Sequence, residues 1–121
     1  MEIKRIDRSF SVCKVTDYSK VNWEAEYAFV SKTDEENSLV CLTEDVPSNV
    51  TEREDNWYAF RIQGQLDFSL IGILSKLTGI LADNRIGIFA ISTYNTDYIL
   101  VKKENYKKAL DVLANAGYSI I

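Results

Sequence analysis

From Trp57 to the C-terminus, apolar residues alternate between strand-like and helix-like spacing, and this order of elements constrains the fold more than any other feature. A period of two indicates half-buried strands, and recurrence at three and four residues indicates amphipathic helices. The pattern predicts strands at 57–63, 86–93, 97–102 and 118–121, a helix from Asp67 or Ser69 through Asp83, and a helix over 104–116. The order βαββαβ is typical of an α+β, ferredoxin-like split βαβ fold.

The predicted helices carry recognisable end signals. Asp67 and Ser69 are both good N-caps for the first helix, because their side-chain oxygens accept hydrogen bonds from the first backbone amides. Asn84 readily adopts the left-handed conformation that ends a helix, and Gly117 is expected to stop the second helix. These signals place a loop of polar residues directly before the first helix.

The first half of the chain looks like a reduced copy of the same plan. Its pattern predicts strands at 9–15, 28–32 and 38–43, with a helical turn from Asp17 to Trp23, in the order βαββ. The polar segment 44–56 is predicted to be a connector or a short helix starting at Pro47. We therefore expect a degenerate half over 1–50 and a complete domain over 51–121. The halves share no residue-level repeat, so a duplication and an irregular extension of one sheet both remain open.

Composition excludes several classes of function. Histidine is absent from the 121 residues, which excludes a Ser-His-Asp triad, a Cys-His pair and an HExxH zinc site. The net charge of −4 and the lack of a basic patch argue against nucleic-acid binding. No apolar run reaches membrane-spanning length and no signal peptide is evident, so we expect a cytoplasmic protein with no cofactor or metal site. Cys13 and Cys41 lie in apolar runs and are expected to be reduced core residues.

The loop before the first helix is the first candidate ligand site. Free backbone amides and the helix dipole favour an anion there, such as the carboxylate of an amino acid. Gly72 would let a ligand approach the backbone closely. Capping alone and capping combined with ligand contact both remain open for this loop. Its candidate residues are Gln65, Leu66, Asp67, Phe68, Ser69 and Gly72.

The predicted turn between the strands at 86–93 and 97–102 is the second candidate site. Turns use Asn, Thr and Asp for their own hydrogen bonds, but the polar side chains here outnumber what one turn requires. Asp97 is able to neutralise an ammonium or guanidinium group of a ligand. The candidate residues are Thr93, Tyr94, Asn95, Thr96 and Asp97.

Three short runs carry a resemblance to a known family. They are Gly72-Ile73-Leu74 in the first helix, Leu81 to Ile86 at its end, and Ile91-Ser92-Thr93 in the next strand. In these runs the chain resembles the ACT domain, as found in aspartate kinases. The wider stretches 64–70 and 88–98 resemble small stand-alone tandem-ACT proteins and the arginine-sensing proteins of animal cells. The resemblance covers residues 57–121 well and residues 1–50 only in layout.

The resemblance implies a non-catalytic regulatory protein that binds a small molecule, with an amino acid as the expected ligand. It also implies side-by-side pairing of domains, either within one chain or between the two chains of a homodimer, and a metabolic enzyme as a possible partner. The alternative is a dimerisation or interaction module that docks on a metabolic enzyme without a ligand of its own. Catalysis is not expected, because acylphosphatases of this fold use an arginine in the loop where this chain carries Asp67.

Overall fold

The computed structural model describes residues 1–67 and 69–121. This part of the chain contains seven β-strands, two α-helices and two short 3-10 turns. The strands are β1 (Glu2–Val15), β2 (Ala28–Lys32), β3 (Asn37–Leu42), β4 (Val50–Ile62), β5 (Phe89–Ser92), β6 (Asp97–Lys102) and β7 (Ser119–Ile120). The helices are α1 (Ile73–Asp83) and α2 (Tyr106–Asn115), and the 3-10 turns are Thr43–Asp45 and Lys103–Asn105.

The chain divides into two compact units. The first, here called the helical unit, consists of Met1–Asp7 and Tyr58–Ile121. The second, here called the sheet unit, consists of Arg8–Trp57. The long strands β1 and β4 each supply residues to both units, so the division does not fall at a single point along the chain.

In the helical unit the strands follow the order β7-β1-β4-β6-β5. The first residues of β1 run parallel to β7, with Ile3 opposite Ile120. On the other side of β1, the Gln63 amide at the end of β4 donates to the Glu2 carbonyl at 2.9 Å. The elements β4 to β7 have the predicted order βαββαβ, and the α+β class with an antiparallel sheet and two helices is confirmed. The start of the chain, however, lies between the first and last strands of that series, which the sequence pattern did not predict.

Both helices contribute to the core of the helical unit. Fully buried side chains from α1 and α2 pack against β1, β4 and β6, where apolar residues occupy alternate positions. The largest fully buried members are Ile3, Phe60, Ile62, Leu77, Leu81, Ile99 and Leu113. These side chains supply the main hydrophobic stabilisation of this unit.

The predicted start of α1 is wrong. The helix begins at Ile73 rather than at Asp67 or Ser69, and its N-cap Gly72 has a φ of 81°. This left-handed conformation interrupts the helical path, and it is one that glycine adopts at little cost. Instead of capping α1, the Asp67 carboxylate accepts a hydrogen bond of 2.8 Å from the Ser69 amide in a local turn. The helix N-terminus is left without a side-chain cap.

The end of α1 differs from the prediction by one residue. Arg85, with a φ of 60°, takes the left-handed conformation that was expected of Asn84. The Ile86 amide then donates to the Leu81 carbonyl at 3.0 Å, which is the pattern of a Schellman motif. The Asn84 side chain instead donates to the Ile80 carbonyl at 2.9 Å.

The end of α2 agrees with the sequence pattern. Gly117 has a φ of 104°, and the Tyr118 amide donates to the Leu113 carbonyl at 3.1 Å. Gly117 therefore ends the helix as predicted. The start of α2 differs from the prediction. The helix begins at Tyr106 rather than at Glu104, because residues 103–105 form a 3-10 turn.

In the sheet unit the strands follow the order β2-β3-β1-β4. β1 pairs antiparallel with β3, with Cys13 opposite Leu39 and Ser11 opposite Cys41. Cys13 and Cys41 are buried free thiols in the core of this unit. Three residues of the connecting loops, Tyr18, Val21 and Val46, pack against this part of the core, together with Val50 at the start of β4.

The helical turn predicted from Asp17 to Trp23 is wrong. Residues 16–27 contain turns and bends but no helix. The Asp17 carboxylate accepts a hydrogen bond of 2.9 Å from the Ser19 amide, and the Val21 amide donates to the Tyr18 carbonyl at 3.3 Å. Aspartate thus closes a tight local turn here rather than starting a helix, since such side chains serve both purposes.

The predicted connector over 44–56 is also wrong. After the turn at 43–45, β4 begins at Val50, and no helix starts at Pro47. The polar residues of β4 are placed on an exposed part of the strand, where Glu52 pairs with Lys14 of β1 at 3.3 Å. Pairing with β1 supplies the backbone hydrogen bonds, so this strand forms without an apolar pattern.

Candidate functional site

A cavity of about 330 Å³ lies within the helical unit. Its walls are the loop between β4 and α1, the first turn of α1, and the turn that joins β5 to β6. Eight of the eleven predicted site residues line this cavity: Leu66, Asp67, Gly72, Thr93, Tyr94, Asn95, Thr96 and Asp97. The two candidate patches of the sequence therefore lie on one cavity.

Three predicted residues are not among the lining residues. Gln65 and Ser69 do not line the cavity, and Phe68 lies outside the described residues. The cavity also has lining residues that were not predicted, namely Leu70, Ile73, Leu74, Ser75 and Ser92. Three of these, Ile73, Leu74 and Ser75, form the first turn of α1. A helix start placed at Gly72 on the basis of its conformational freedom would have pointed to them.

The turn between β5 and β6 uses both of its threonines for its own structure. The Thr93 amide donates to the Thr96 carbonyl at 2.8 Å, and the Thr93 hydroxyl donates to the same carbonyl at 3.0 Å. The buried Thr96 hydroxyl donates to the Ile62 carbonyl at 2.7 Å. These bonds account for the structural role of threonine in the turn and fix its position against β4.

A backbone hydrogen bond ties the two walls of the cavity together. The Leu66 amide donates to the Asn95 carbonyl at 2.7 Å. The loop after β4 is thereby held against the turn after β5, although 29 residues separate the two in the sequence. Asn95 thus helps to form the cavity through its backbone carbonyl. A motif of side chains in the sequence does not reveal a backbone contact of this kind.

The N-terminus of α1 opens onto the cavity. The Lys76 amide makes an i→i−4 bond of 2.9 Å to the Gly72 carbonyl. The amides of Ile73, Leu74 and Ser75 precede that bond, and all three residues line the cavity. Such amides have no partner within their own helix, and together with the helix dipole they attract an anion. An oxygen-bearing anionic group fits this wall.

Two carboxylates line the same cavity. The backbone amide of Ser69 donates to Asp67 and holds the pKa of that carboxyl below its usual range, so Asp67 is charged at neutral pH. The Asp97 carboxylate is half-buried and accepts a hydrogen bond of 2.5 Å from the Ser92 hydroxyl. Among the described lining residues there is no lysine or arginine. The cavity therefore combines an anion-attracting helix end with two groups that attract cations.

Within 1–67 and 69–121, no three His, Cys, Asp or Glu side chains come together as a metal site would require. Neither helix in this part of the chain has the length and apolar character needed to cross a membrane.

Comparison with known proteins identifies the family. An ACT domain model matches residues 52–115, which is more than half of the chain. The chain therefore belongs to the ACT domain family, as its resemblance indicated. No match was found among curated proteins.

Solved structures agree with this assignment. The chain is similar to protein Atu0741 from Agobacterium tumefaciens, with a TM-score of 0.86 and 30% identity over 99% of this chain and 91% of that chain. It shares its fold with VC0802 from Vibrio cholerae, described as a protein of unknown function and possible transport protein, at a TM-score of 0.72 and 21% identity over 94% and 88% of the two chains. The regulatory subunit of aspartate kinase from Thermus thermophilus also has this fold, at a TM-score of 0.65 and 10% identity over 97% of each chain.

Proposed function

We propose that this protein is a non-catalytic regulatory protein that binds an amino acid in the cavity of the helical unit. The observation that carries the proposal is that one small cavity is lined both by a group that attracts anions and by groups that attract cations. The α1 N-terminus suits a carboxylate, and Asp67 and Asp97 suit an ammonium group. An amino acid at neutral pH carries both groups. The occurrence of this fold in a regulatory subunit of aspartate kinase supports a regulatory role.

The size of the cavity supports a small ligand. Ligand pockets in proteins range from about 300 to 1,000 Å³, and 330 Å³ lies at the lower end of that range. The apolar lining residues Leu66, Ile73 and Leu74 offer contact to an aliphatic part of the ligand. A nucleotide or another highly phosphorylated molecule is disfavoured, because both carboxylates would repel it.

The proposal is tested by thermal-shift screening with the twenty amino acids, followed by calorimetry on those that stabilise the protein. A ligand at 100 times its Kd stabilises the folded state by about 2.7 kcal/mol. Ser75→Trp adds a large side chain at the cavity wall and is expected to abolish the shift. Ala82→Trp, which adds the same group to an exposed position of α1 away from the cavity, is the matched control.

A second candidate function is favoured by the residues around the cavity mouth. Ile71 is 95% exposed and Tyr94 is 73% exposed, and Leu70 beside them is also exposed. Exposed apolar side chains of this kind are typical of interaction surfaces. The alternative is therefore an interaction module that forms a homodimer or docks on a metabolic enzyme without a ligand. Failure of every amino acid at millimolar concentration to raise the Tm would favour this alternative.

The proposal includes the setting in which the protein acts. We expect a cytoplasmic protein that forms a homodimer and has neither a nucleic-acid nor a membrane partner. Self-association is supported by the exposed edge strands β2 and β5, which have a neighbour on one side only in the described sheet. Light scattering at several protein concentrations, with and without the amino acid that binds, measures the oligomeric state.

A further inference from the structure

The two strands at the ends of the sheet order, β2 and β5, differ in the charge around them. β5 contains no charged residue, so it is able to pair with the same strand of a second copy without repulsion. β2 lies between two acidic segments of the sheet unit. Pairing β2 with itself would bring like charges together, which is destabilising across paired strands. The edge of β2 therefore suits a partner of opposite charge.

The free edge of β2 presents backbone hydrogen-bonding groups. The Thr33 amide donates to the Glu36 carbonyl at 3.0 Å, and β2 runs antiparallel to β3 up to the residue before Thr33. In an antiparallel ladder, hydrogen-bonded pairs alternate with pairs that do not bond each other. The residues two and four before Thr33 therefore bond to β3. The remaining residues of β2 direct their N–H and C=O groups to the free edge, and they are Ala28, Val30 and Lys32.

An exposed tryptophan lies at the end of the hairpin where β2 begins. Trp23 is 60% exposed, in a turn that the Ala25 amide closes by donating to the Asn22 carbonyl at 3.3 Å. The Asn22 side chain donates to the Asp45 carboxylate at 3.3 Å, and Asp45 follows closely after β3. This contact holds the turn beside the start of β2, because the start of β2 pairs with the end of β3. Tryptophan is enriched at the energetic centres of protein interfaces, and its ring attracts the guanidinium group of arginine.

Carboxylates flank β2 on both sides. Over residues 24–36 the chain has five acidic residues and one basic residue, Lys32, at the last position of β2. All five acidic residues are exposed, and none of them forms an ion pair in the described part of the chain. The free edge therefore has uncompensated negative charge at both of its ends. The five residues are Glu24, Glu26, Asp34, Glu35 and Glu36.

We propose that the free edge of β2 is a docking site for an extended, basic segment of a partner protein, which adds to the sheet as one further strand. Main-chain hydrogen bonds to Val30 and its neighbours supply the affinity, as in other cases of strand addition. An arginine of the segment stacks on Trp23, and further basic side chains lie beside the flanking carboxylates. The five residues of β2 span about 17 Å, so the contact requires a segment of about five to seven residues.

The experiment titrates the full chain with a capped peptide of about seven residues in which arginine and valine alternate. Two control peptides have the same length. One has glutamate in place of every arginine, and the other has a methyl group on every peptide nitrogen, which keeps the charge and prevents pairing as a strand. In calorimetry, the arginine–valine peptide is expected to bind at least about tenfold more tightly than either control. Hydrogen exchange of the Val30 and Lys32 amides is expected to slow when it binds.

Backbone variants of β2 separate strand pairing from charge attraction. Val30→Pro removes the N–H group that faces the free edge and leaves the residues that bond to β3 in place. It is expected to weaken binding of the arginine–valine peptide at least about tenfold. Val30→Ala keeps that N–H group and is the matched control, with an expected change within about threefold.

Side-chain variants test the tryptophan and the carboxylates. Trp23→Ala is expected to weaken binding about tenfold, whereas Trp23→Phe keeps an aromatic face and is expected to weaken it less. Asp34→Asn combined with Glu35→Gln is expected to weaken binding about two- to fivefold at low salt, with a smaller difference at high salt. Asp83→Asn combined with Glu104→Gln neutralises two exposed carboxylates of the helical unit and is the control.

Several results would overturn the proposal. The arginine–valine peptide fails to bind, or it binds no better than its methylated form, or the Val30 and Lys32 amides exchange as fast with it as without it. If light scattering shows that Val30→Pro converts a dimer into monomers, a second copy occupies this edge and the proposed partner is wrong. If urea unfolding shows that Val30→Pro does not fold, the methylated peptide on the parent protein decides. The docking site lies wholly within the sheet unit, so these results leave the amino-acid cavity to its own thermal-shift test.

Discussion

The two units of the chain build the same strand order and cover it differently. In the sheet unit, the hairpin β2-β3 lies beside β1, and β4 follows. In the helical unit, the hairpin β5-β6 lies beside β4, and β1 follows. In each unit a hairpin therefore pairs with one long strand, which in turn pairs with the second long strand. The first long strand is β1 in the sheet unit and β4 in the helical unit. Two crossover helices cover the sheet in one unit, and loops with short turns take their place in the other.

This difference decides where a ligand site of the proposed kind is built. The cavity needs the N-terminus of a helix with aligned amides, and α1 supplies it. In the described part of the sheet unit, the longest helical segment is the three-residue turn at 43–45, which is too short to produce a substantial dipole. The strand order by itself therefore does not create the site. The loop and helix that follow β4 do.

The two units also differ in charge. The sheet unit carries eleven acidic and five basic residues, and the helical unit carries seven acidic and nine basic residues. The net negative charge of the chain is therefore located in the sheet unit. The two aspartates at the cavity lie in a unit that is otherwise slightly basic, so they are a local feature rather than part of a general acidic surface.

The largest expected effect is the loss of stability when a buried leucine is truncated in the core of each unit. Leu77→Ala removes a fully buried side chain beneath α1, and Leu39→Ala removes one beneath the loops of the sheet unit. Substitutions of this kind cost about 2–5 kcal/mol. We expect about 4 kcal/mol for Leu77→Ala and about 2–3 kcal/mol for Leu39→Ala, because loops move more easily into a cavity than helices do. Urea unfolding at unchanged m-value measures both.

Equal costs at the two positions would break this comparison. They would mean that the loops over the sheet unit pack as rigidly as the helices. A change in m-value for either variant would instead indicate a change in the unfolded state or the loss of two-state behaviour.

A smaller effect is expected from the hydroxyl that ties α2 to the sheet. The Tyr106 hydroxyl contacts the Ala59 carbonyl at 2.9 Å and the Asp7 carboxylate at 3.1 Å. Tyr106→Phe removes the hydroxyl that makes both contacts and is expected to cost about 1–2 kcal/mol at neutral pH. Tyr94→Phe, at a residue that is 73% exposed, is the control and is expected to change stability by less than about 0.5 kcal/mol.

The same tyrosine predicts a pH dependence. Burial, together with the Asp7 carboxylate, raises the pKa of Tyr106 above its usual value of about 10. A raised pKa means that the folded state keeps its proton where the unfolded state loses it. Stability is therefore full below about pH 10 and falls as the pH rises through the folded pKa. Denaturation between pH 8 and 11 should show this fall, and Tyr106→Phe should reduce it.

The smallest expected effect is a gain in stability from replacing a glycine inside a helix of the helical unit. Gly79 lies in the interior of α1, and a methyl group there would meet no atom within 4 Å. Gly79→Ala is expected to stabilise the protein by about 0.5–1 kcal/mol, because alanine favours the helix and restricts the unfolded chain. Gly117→Ala, at a φ of 104°, should destabilise it by about 1 kcal/mol. A loss for Gly79→Ala in thermal melts would contradict the packing described for α1.

Much of the element order was predictable because it depends on local pattern. β2 and β6 occur at the residues that the sequence pattern predicted. Each contains a short apolar run, Ala28 to Val30 and Tyr98 to Val101, and each adjoins a polar turn. The stop at Gly117 was predictable for the same reason, since the need for a left-handed residue is a local property.

The errors occurred where local pattern and tertiary contacts disagree. Leu70 continues the helical spacing of α1, yet it is exposed and precedes the break at Gly72. The polar start of β4 has no strand pattern, because pairing with β1 rather than apolar burial holds it in place. That the sheet unit is a second copy of the family stays a proposal, supported by its strand order.

The sequence by itself determined the order of the elements from β4 to β7, the end of α2 and the absence of histidine chemistry, since each follows from residue identity and near neighbours. Only the tertiary structure decided that the start of the chain lies between β4 and β7, and that Asp67 and Asp97 line one cavity with the first turn of α1. These arrangements depend on hydrogen bonds between residues far apart in the chain, such as the bond from the Leu66 amide to the Asn95 carbonyl. Periodicity carries no information about such bonds, because it reports which face of an element is buried and not which element lies beside it.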